Sequence, residues 1–534
     1  MNRNRYQLKH LSIVLSSSWF WLVLYSGLGL VGVLNHVMWR DEFNTWLIVR
    51  DSNSLGEMLQ HVKYQGHTAL WALCLSLLRN FYDSYLTMQL FHWAIAVASA
   101  VIFWRYSPFT FRQKLLFTFG YIPIYQYSLV ARPYVLGMLC LFAFCAVFPY
   151  RQKSYIPAAM LLMLMINSSA YALLMALALA ATLVIEWILN PKARSRDRQY
   201  SHALDLMLSV LIFAVGFGFA VYILTPPIDS YNHGGLDAWQ LNFNLRRTLR
   251  AWNRIFAGYT LIVPSQYRWI DLWICGAITL FSVSVFALQL VKRWLSLVFF
   301  MLANLTLLAF TYFRFAGIGP RHFAHFYLIL IAAFWLYAYL PEADLSQVKS
   351  RLVRRSLALA QNWHQPLLTT ILVIQFLGGL YVYPRDLLIP FSASKAVSNY
   401  IQTSAWQDEF IVASRDANMA PISGYLDRQL YYPELESMGS FTLFGGDRES
   451  DNHENYLPHT EVLRQVEQLL IERDLERILL ILHLPLETTT DILSVQPIHA
   501  FTRAWTPSER YYLYWVTLPN SVNEASSYLP SLLG

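Results

Sequence analysis

Charge is what this sequence has least of. Asp, Glu, Lys and Arg make up 14% of its 534 residues, while 56% are hydrophobic and 16% aromatic; soluble domains average roughly 25% charged. A soluble enzyme is excluded. Cysteine is scarce as well, and Cys74, Cys140, Cys145 and Cys275 lie in or beside apolar runs. None of their spacings matches a zinc site or a disulfide framework, so they read as small apolar core residues. The chain also lacks an internal repeat, a low-complexity tract and a nucleotide-binding glycine loop, and no nucleic-acid partner is expected.

What is present is a series of charge-free runs. A hydrocarbon core of about 30 Å needs about 20 helical residues. Eleven runs look able to span: 11–35, 85–104, 115–131, 133–149, 154–169, 171–189, 203–226, 270–291, 294–313, 323–341 and 366–383. The fifth and sixth form one stretch too long for a single crossing, which breaks at the polar Asn167-Ser168-Ser169. The first follows Arg3, Arg5 and Lys9 but exceeds a signal-peptide core and lacks its cleavage site, so it should stay as an anchor. Cytoplasmic loops carry the excess of Lys and Arg. The loops with Arg105/Arg112/Lys114, Arg151/Lys153, Lys192/Arg194/Arg196/Arg198, Lys292/Arg293 and Lys349/Arg351/Arg354/Arg355 all face the cytoplasm if residues 66–82, too short to cross, do not span. The N-terminus is then inside and the C-terminus outside.

Two outer stretches stand out on this topology. Residues 36–84 read as helices lying near the membrane surface, with Phe43, Trp46, Leu47 and Leu55, Met58, Leu59 at helical spacing. Residues 227–269 carry Arg246, Arg250 and Arg254, four apart, as one basic stripe on the side that the charge rule normally depletes. After Tyr383 the composition becomes that of a soluble domain, 384–534. There EFIVAS (409–414) and RILLILHL (477–484) read as buried strands and 461–476 as a helix, which implies a small α/β domain. The expected fold is therefore an α-helical polytopic membrane protein of about eleven transmembrane helices, residues 1–383, with a C-terminal soluble α/β domain.

The sharpest chemical signal is Asp41-Glu42, just past the first span. Adjacent carboxylates there suit a general base with a hydrogen-bonding partner, or a metal ligand; the bland alternative is a polar boundary. His67 opens the short non-crossing segment and could bind an acceptor or a phosphate. Arg132, in VARPYVLG between two spans, is not needed for topology, and a lipid phosphate is a natural counter-ion. Arg321-His322 in GIGPRHFAHF repeats that situation. Carboxylates and arginines on one outer face suit chemistry on an anionic lipid-linked substrate.

WRDE (Trp39 to Glu42), GH (Gly66, His67), ARPY (Ala131 to Tyr134) and PRH (Pro320 to His322), in this order and membrane placement, resemble the polytopic GT-C glycosyltransferases. The likeness is to the bacterial relatives of the dolichyl-phosphate-mannose protein mannosyltransferases and of the lipid A aminoarabinose transferase. It covers about residues 10–385, and KAVSNYIQ, EFIVAS and APISGYL in the tail are similar to the soluble ends of such proteins. The resemblance implies an inverting enzyme that takes a sugar from a polyprenyl-phosphate donor on the extracytoplasmic face of the bacterial inner membrane. Asp41 stands in the place of the catalytic base and Glu42 beside it. Arg132, Tyr134, Arg321, His322, His67 and the Arg246/Arg250/Arg254 stripe would hold the donor phosphate, whose charge grows as it leaves. The chain departs from that pattern at Gly66-His67-Thr68-Ala69, where relatives usually read GHPP or KPP, and at Ser168-Ser169-Ala170-Tyr171. No cofactor is certain; relatives include metal-free and divalent-cation-dependent enzymes, and Asp41 and Glu42 fit either. Two other classes stay open, a lipid-linked sugar flippase, which should carry charges along its spans, and a non-catalytic scaffold for envelope polysaccharide assembly.

Overall fold

A computed structural model describes residues 17–191, 200–230, 239, 241–314, 319–343, 350–443, 457–488 and 492–519. The start of the first apolar run, the loop with Lys192, Arg194, Arg196 and Arg198, and Lys349 lie outside the described residues. The chain forms two compact units. One comprises Met1–Leu34, Val62–Cys74 and Met88–Pro384, the other Asn35–His61, Leu75–Thr87 and Arg385–Gly534.

The first unit is helical. Six stretches are long and apolar enough to cross a membrane: Ser18–Asn35, Tyr85–Tyr106, Ala170–Leu189, His202–Leu224, Trp269–Phe313 and Arg351–Leu388. These lengths and compositions suit an integral membrane protein. Trp269–Phe313 is two helices, Trp269–Leu290 and Trp294–Phe313, joined through a turn of 3₁₀-helix at Val291–Arg293. Ala170–Leu189 is built from Ala and Leu, the strongest apolar helix formers. It starts where the Ser169 hydroxyl accepts the Ala172 amide at 3.2 Å. The preceding helix, Ile156–Ile166, ends just before Asn167, whose side-chain amide donates to the Met163 and Gly216 carbonyls. Helix Leu70–Arg79 has ten residues, a length of about 15 Å, half a hydrocarbon core.

Residues 115–131 are not one helix, although their composition alone reads as a span. Helix Phe111–Thr118 stops before Gly120, and Ile122–Gln126 winds as a π-helix with Pro123 near its start. A Cβ on Gly120 would crowd the Phe117 carbonyl at 3.0 Å and the Gln375 side chain at 3.2 Å, and proline removes a helical donor. The Pro123 carbonyl accepts the buried Tyr25 hydroxyl at 2.8 Å. The centre of the unit is helix Pro320–Tyr337, buried continuously from His322 to Leu336. Helices Leu245–Thr260, Trp294–Phe313 and Tyr134–Val147 pack against it.

In the second unit a six-stranded mixed sheet has the order β3-β2-β1-β4-β6-β5. The strands are β1 Ile411–Ala413, β2 Leu430–Tyr432, β3 Ser437–Gly439, β4 Ile478–Leu482, β5 Ser494–Phe501 and β6 Tyr511–Thr517. β1 runs parallel to β2 and β4, with Val412 opposite both Tyr431 and Leu480, and the other pairings are antiparallel. Alternation along the strands feeds two cores. Ile411, Ala413, Leu479 and Ile481 pack with Val397, Ile401, Met419 and Ile422. Val412, Ile478, Leu480 and Leu482 pack with Val462, Leu463, Val466 and Leu470 of helix His459–Glu472. The same unit holds helix Arg40–Asp51, which packs on helix Asp416–Leu426 through Phe43 and Tyr425, their rings 4.7 Å apart.

Two glycines test the helix packing of the membrane unit. A Cβ at Gly258 would run into the Phe323 backbone carbonyl, whereas Gly218 has open space around it. Gly258→Ala should therefore cost about 1–3 kcal/mol by overpacking, and Gly218→Ala should be neutral or gain up to about 1 kcal/mol of helix propensity. Thermal unfolding of the two variants in detergent, followed by tryptophan fluorescence, checks this; equal melting points would contradict the close approach.

Candidate functional site

Asp41 and Glu42 occupy the first turn of helix Arg40–Asp51, where the helix dipole favours carboxylates. Their environments differ. Glu42 is fully buried; its Oε2 accepts the Trp39 amide at 3.2 Å and lies 3.1 Å from His36 Nε2. His36 Nδ1 is in turn 2.8 Å from Asp386 Oδ2, with all three side chains at 0% exposure. A ring flanked by acceptors on both nitrogens is satisfied only as the imidazolium. Burial opposes that charge, but Asp386 and Glu42 outweigh it and hold the His36 pKa well above its ordinary value. Asp41 keeps 22% of its side chain exposed, with Arg40 Nε at 3.8 Å. Glu509 completes this corner, accepting the Arg40 amide at 2.9 Å. Burial pushes its carboxyl up to about 7, against the bonds from Ser392 and the Arg40 amide. Of the carboxyls around this helix start, Glu42 and Glu509 are fully buried and accept backbone amides, and Asp41 is partly exposed.

The cationic residues lie in the other unit, and most of them come together. Arg132 is 7% exposed, and its Nη2 lies 2.8 Å from His67 Nε2. Because guanidinium only donates, that contact makes His67 the neutral acceptor. Tyr134 is buried beneath, its ring 6.0 Å from the Arg132 guanidinium and its hydroxyl 3.1 Å from His322 Nε2. Tyr171 stacks on His322 and on His325, with ring centroids 5.2 and 4.8 Å away. Arg321, His67 and Arg132 lie within electrostatic reach of His322, and Arg321 and Arg254 within reach of Tyr171. The arginine stripe divides. Arg254 covers the Phe323 ring at 4.6 Å, on the central helix, whereas Arg246 covers Trp269 at 4.7 Å and Arg250 donates to the Gln266 carbonyl at 3.1 Å. Only Arg254 of the three has a described contact with the central helix.

Three helices of this unit have arginine in or just before their first turn. Arg132 precedes helix Tyr134–Val147, Arg321 is the second residue of Pro320–Tyr337, and Arg246 and Arg247 open Leu245–Thr260; none has an acid in its first turn. A cation at the positive end of a helix is unfavourable by itself. Guanidinium groups and helix amides facing the same space become favourable together when an anion is held there.

His36, Asp386, Glu509, Tyr171 and His325 have no site role in the sequence reading. His325 was within reach of it, since it stands one helical turn after His322. The ring of acids around His36 was not, because its members are separated by up to hundreds of residues. Among the described residues, no group of three or more His, Cys, Asp or Glu side chains is placed to hold a metal ion.

Glu509 gives this corner a pH signature. Its folded pKa of about 7 stands above the ordinary value of 4.5, so the folded state binds the proton more tightly. Its protonated form is the one the fold prefers, and stability should fall as pH rises from about 4.5 to 7. Glu509→Gln keeps an acceptor for the Arg40 amide without the titration. The melting temperature of this variant relative to wild type should climb across that window and level off above it; a constant difference from pH 4.5 to 8 would show that Glu509 titrates normally.

No protein-family model matches this chain, and no curated protein matches it.

Proposed function

We propose that this protein is an integral-membrane glycosyltransferase of GT-C-like plan, which transfers a sugar with inversion from a polyprenyl-phosphate donor to an extracytoplasmic lipid, polysaccharide or protein acceptor. On this reading about eleven segments cross a bacterial inner membrane, and the C-terminal α/β domain lies outside. The observation that carries it is the cluster in which Arg132 meets His67 and Tyr134 while Arg321 and Arg254 lie within electrostatic reach of His322 and Tyr171, an arrangement that an anionic group would stabilise and that a phosphate leaving group would use most as its charge develops.

The residues divide the work. Asp41 removes the proton of the acceptor hydroxyl, whose oxygen attacks the anomeric carbon on the face opposite the phosphate. The bond from that carbon to the phosphate oxygen breaks, and polyprenyl phosphate leaves with the electron pair. Glu42, committed to the Trp39 amide and to His36, orients the turn rather than serving as base. Arg132 and Arg321, with His67, Tyr134, His322 and Arg254, bind the phosphate and stabilise its growing charge. Arg246 and Arg250 belong to the same basic helix and would attract the donor.

Sugar transfer in nanodiscs, measured beside donor binding, tests these roles. Asp41→Asn should bind donor but lose about 10² to 10⁴ in rate, the usual cost of removing a general base. Glu42→Gln should be milder in rate, and Arg132→Ala should lose both binding and rate. Wild-type turnover by Asp41→Asn would remove the base assignment; wild-type turnover by Asp41→Asn and Arg132→Ala together would favour a flippase or a scaffold. The orientation is tested by placing single cysteines at the exposed Arg112 and Gln407 in a background without the native four. Impermeant label should reach Gln407→Cys from outside and not Arg112→Cys, and the reverse would overturn the topology.

A further inference from the structure

The second unit contains a basic cluster that the transfer reaction does not use. β1 passes through helix Asp416–Leu426 to β2 on one side, while β4 lies on its other side. Connections therefore diverge from the carboxyl end of β1, the topological switch point at which open α/β sheets bind ligands. All three parallel strands end there. β1 is followed by Ser414 and Arg415, β2 by Pro433 and Glu434, and β4 by His483, and the Ser414 amide donates to the Ile481 carbonyl at 3.0 Å.

This edge gathers basic side chains beside acids that are tied to the loop. His483 is 6% exposed, and the groups that act on it are Arg415, His459 and Arg40. Burial first, and then Arg415, His459 and Arg40, push its imidazole down to about 4, so at neutral pH it is an uncharged hydrogen-bonding group with two guanidinium groups in reach. Arg415, His459 and Arg40 are partly exposed. The nearby acids are committed to the loop: Glu434 accepts the Ser414 hydroxyl at 2.7 Å and the Arg415 amide at 2.6 Å, and Asp416 accepts the Ala417 amide at 2.8 Å. Arg415 also has φ 70° and ψ 81°, a left-handed conformation that favours glycine. Strained positions of this kind gather at ligand-binding sites.

We propose that the carboxyl edge of β1, β2 and β4 binds a phosphate group through Arg415, His459 and Arg40. On the glycosyl-transfer reading, on which this assignment of the ligand rests, the phosphate belongs to the acceptor. Arg40 connects the two places, donating to the Asn418 side chain at 3.3 Å and lying 3.8 Å from Asp41, so an acceptor anchored at the sheet edge would present its hydroxyl toward the base.

The test uses the full chain in neutral detergent, with inorganic phosphate as the probe and ³¹P line broadening at constant ionic strength as the readout. Wild type should bind saturably. Arg415→Gly should bind at least tenfold more weakly and melt no lower than wild type, because glycine fits the backbone there. His459→Gln should also weaken binding, and Arg477→Gln, whose native guanidinium pairs with Glu409, should not. Asp41→Asn should bind phosphate normally, so failure of the transfer reaction and failure of this site are told apart. Nanodiscs with and without phosphatidylglycerol separate the sources: competition by the anionic lipid assigns the site to a head group, and its absence to a phosphorylated glycan. Non-saturable broadening, or wild-type binding by both Arg415→Gly and His459→Gln, would show an adventitious ion only and overturn the proposal.

Discussion

The buried imidazolium of His36 is the interaction on which the carboxylate corner depends. Held between Glu42 and Asp386 with no solvent exposure, it meets an acceptor at each ring nitrogen, and the attraction of the two acids outweighs the cost of burying its charge. The trio adds little net stability over a well-packed apolar substitute, but losing His36 is severe, since it leaves the two acids facing each other in a dry site. What the arrangement supplies is position. Asp386 comes from the last residues of helix Arg351–Leu388 and Glu42 from the first turn of helix Arg40–Asp51, so the direction in which Asp41 points is set by residues far along the chain.

The membrane unit carries the opposite kind of strain. Its central helix is apolar and buried along its length, yet it begins with Arg321-His322 and meets Arg254 from the neighbouring helix. Placing cations at the positive ends of helices works against folding, and the aromatic rings of Tyr134, Tyr171 and Phe323 provide partial compensation by lining the same residues. Conflicts between local rules and a stable fold collect where a ligand is meant to complete the structure.

Much of this was legible in the sequence because it is periodic or compositional. The strands around Val412 and Leu480 are short continuous apolar runs, the length of a strand buried on both faces, and they feed two cores. The break at Asn167-Ser168-Ser169 could be read because three polar residues interrupt an apolar stretch. Residues 115–131 could not, since composition is blind to a glycine forced by close contact and to the proline that turns Ile122–Gln126 into a π-helix. The arginine stripe was placed correctly on one helix face, but a face is not an environment: Arg254 meets the central helix, while Arg246 and Arg250 meet the 261–269 segment. His36 with Asp386, and Glu509 with Arg40, are pairings in space that leave no local trace.

The way the second unit is drawn from Asn35–His61, Leu75–Thr87 and Arg385–Gly534 has a consequence for biogenesis. Its first two pieces emerge from the ribosome early, and their partners follow only after residues 88–384. At about 5 to 20 residues per second the wait is roughly 15 to 60 s. During that interval His36 lacks Asp386 and Phe43 lacks Tyr425, and the segment can only be held by the membrane, by water or by a chaperone. The carboxylate corner is therefore among the last parts of the protein to form, and a nascent chain halted inside the membrane unit would have its spans but not the residues that aim Asp41.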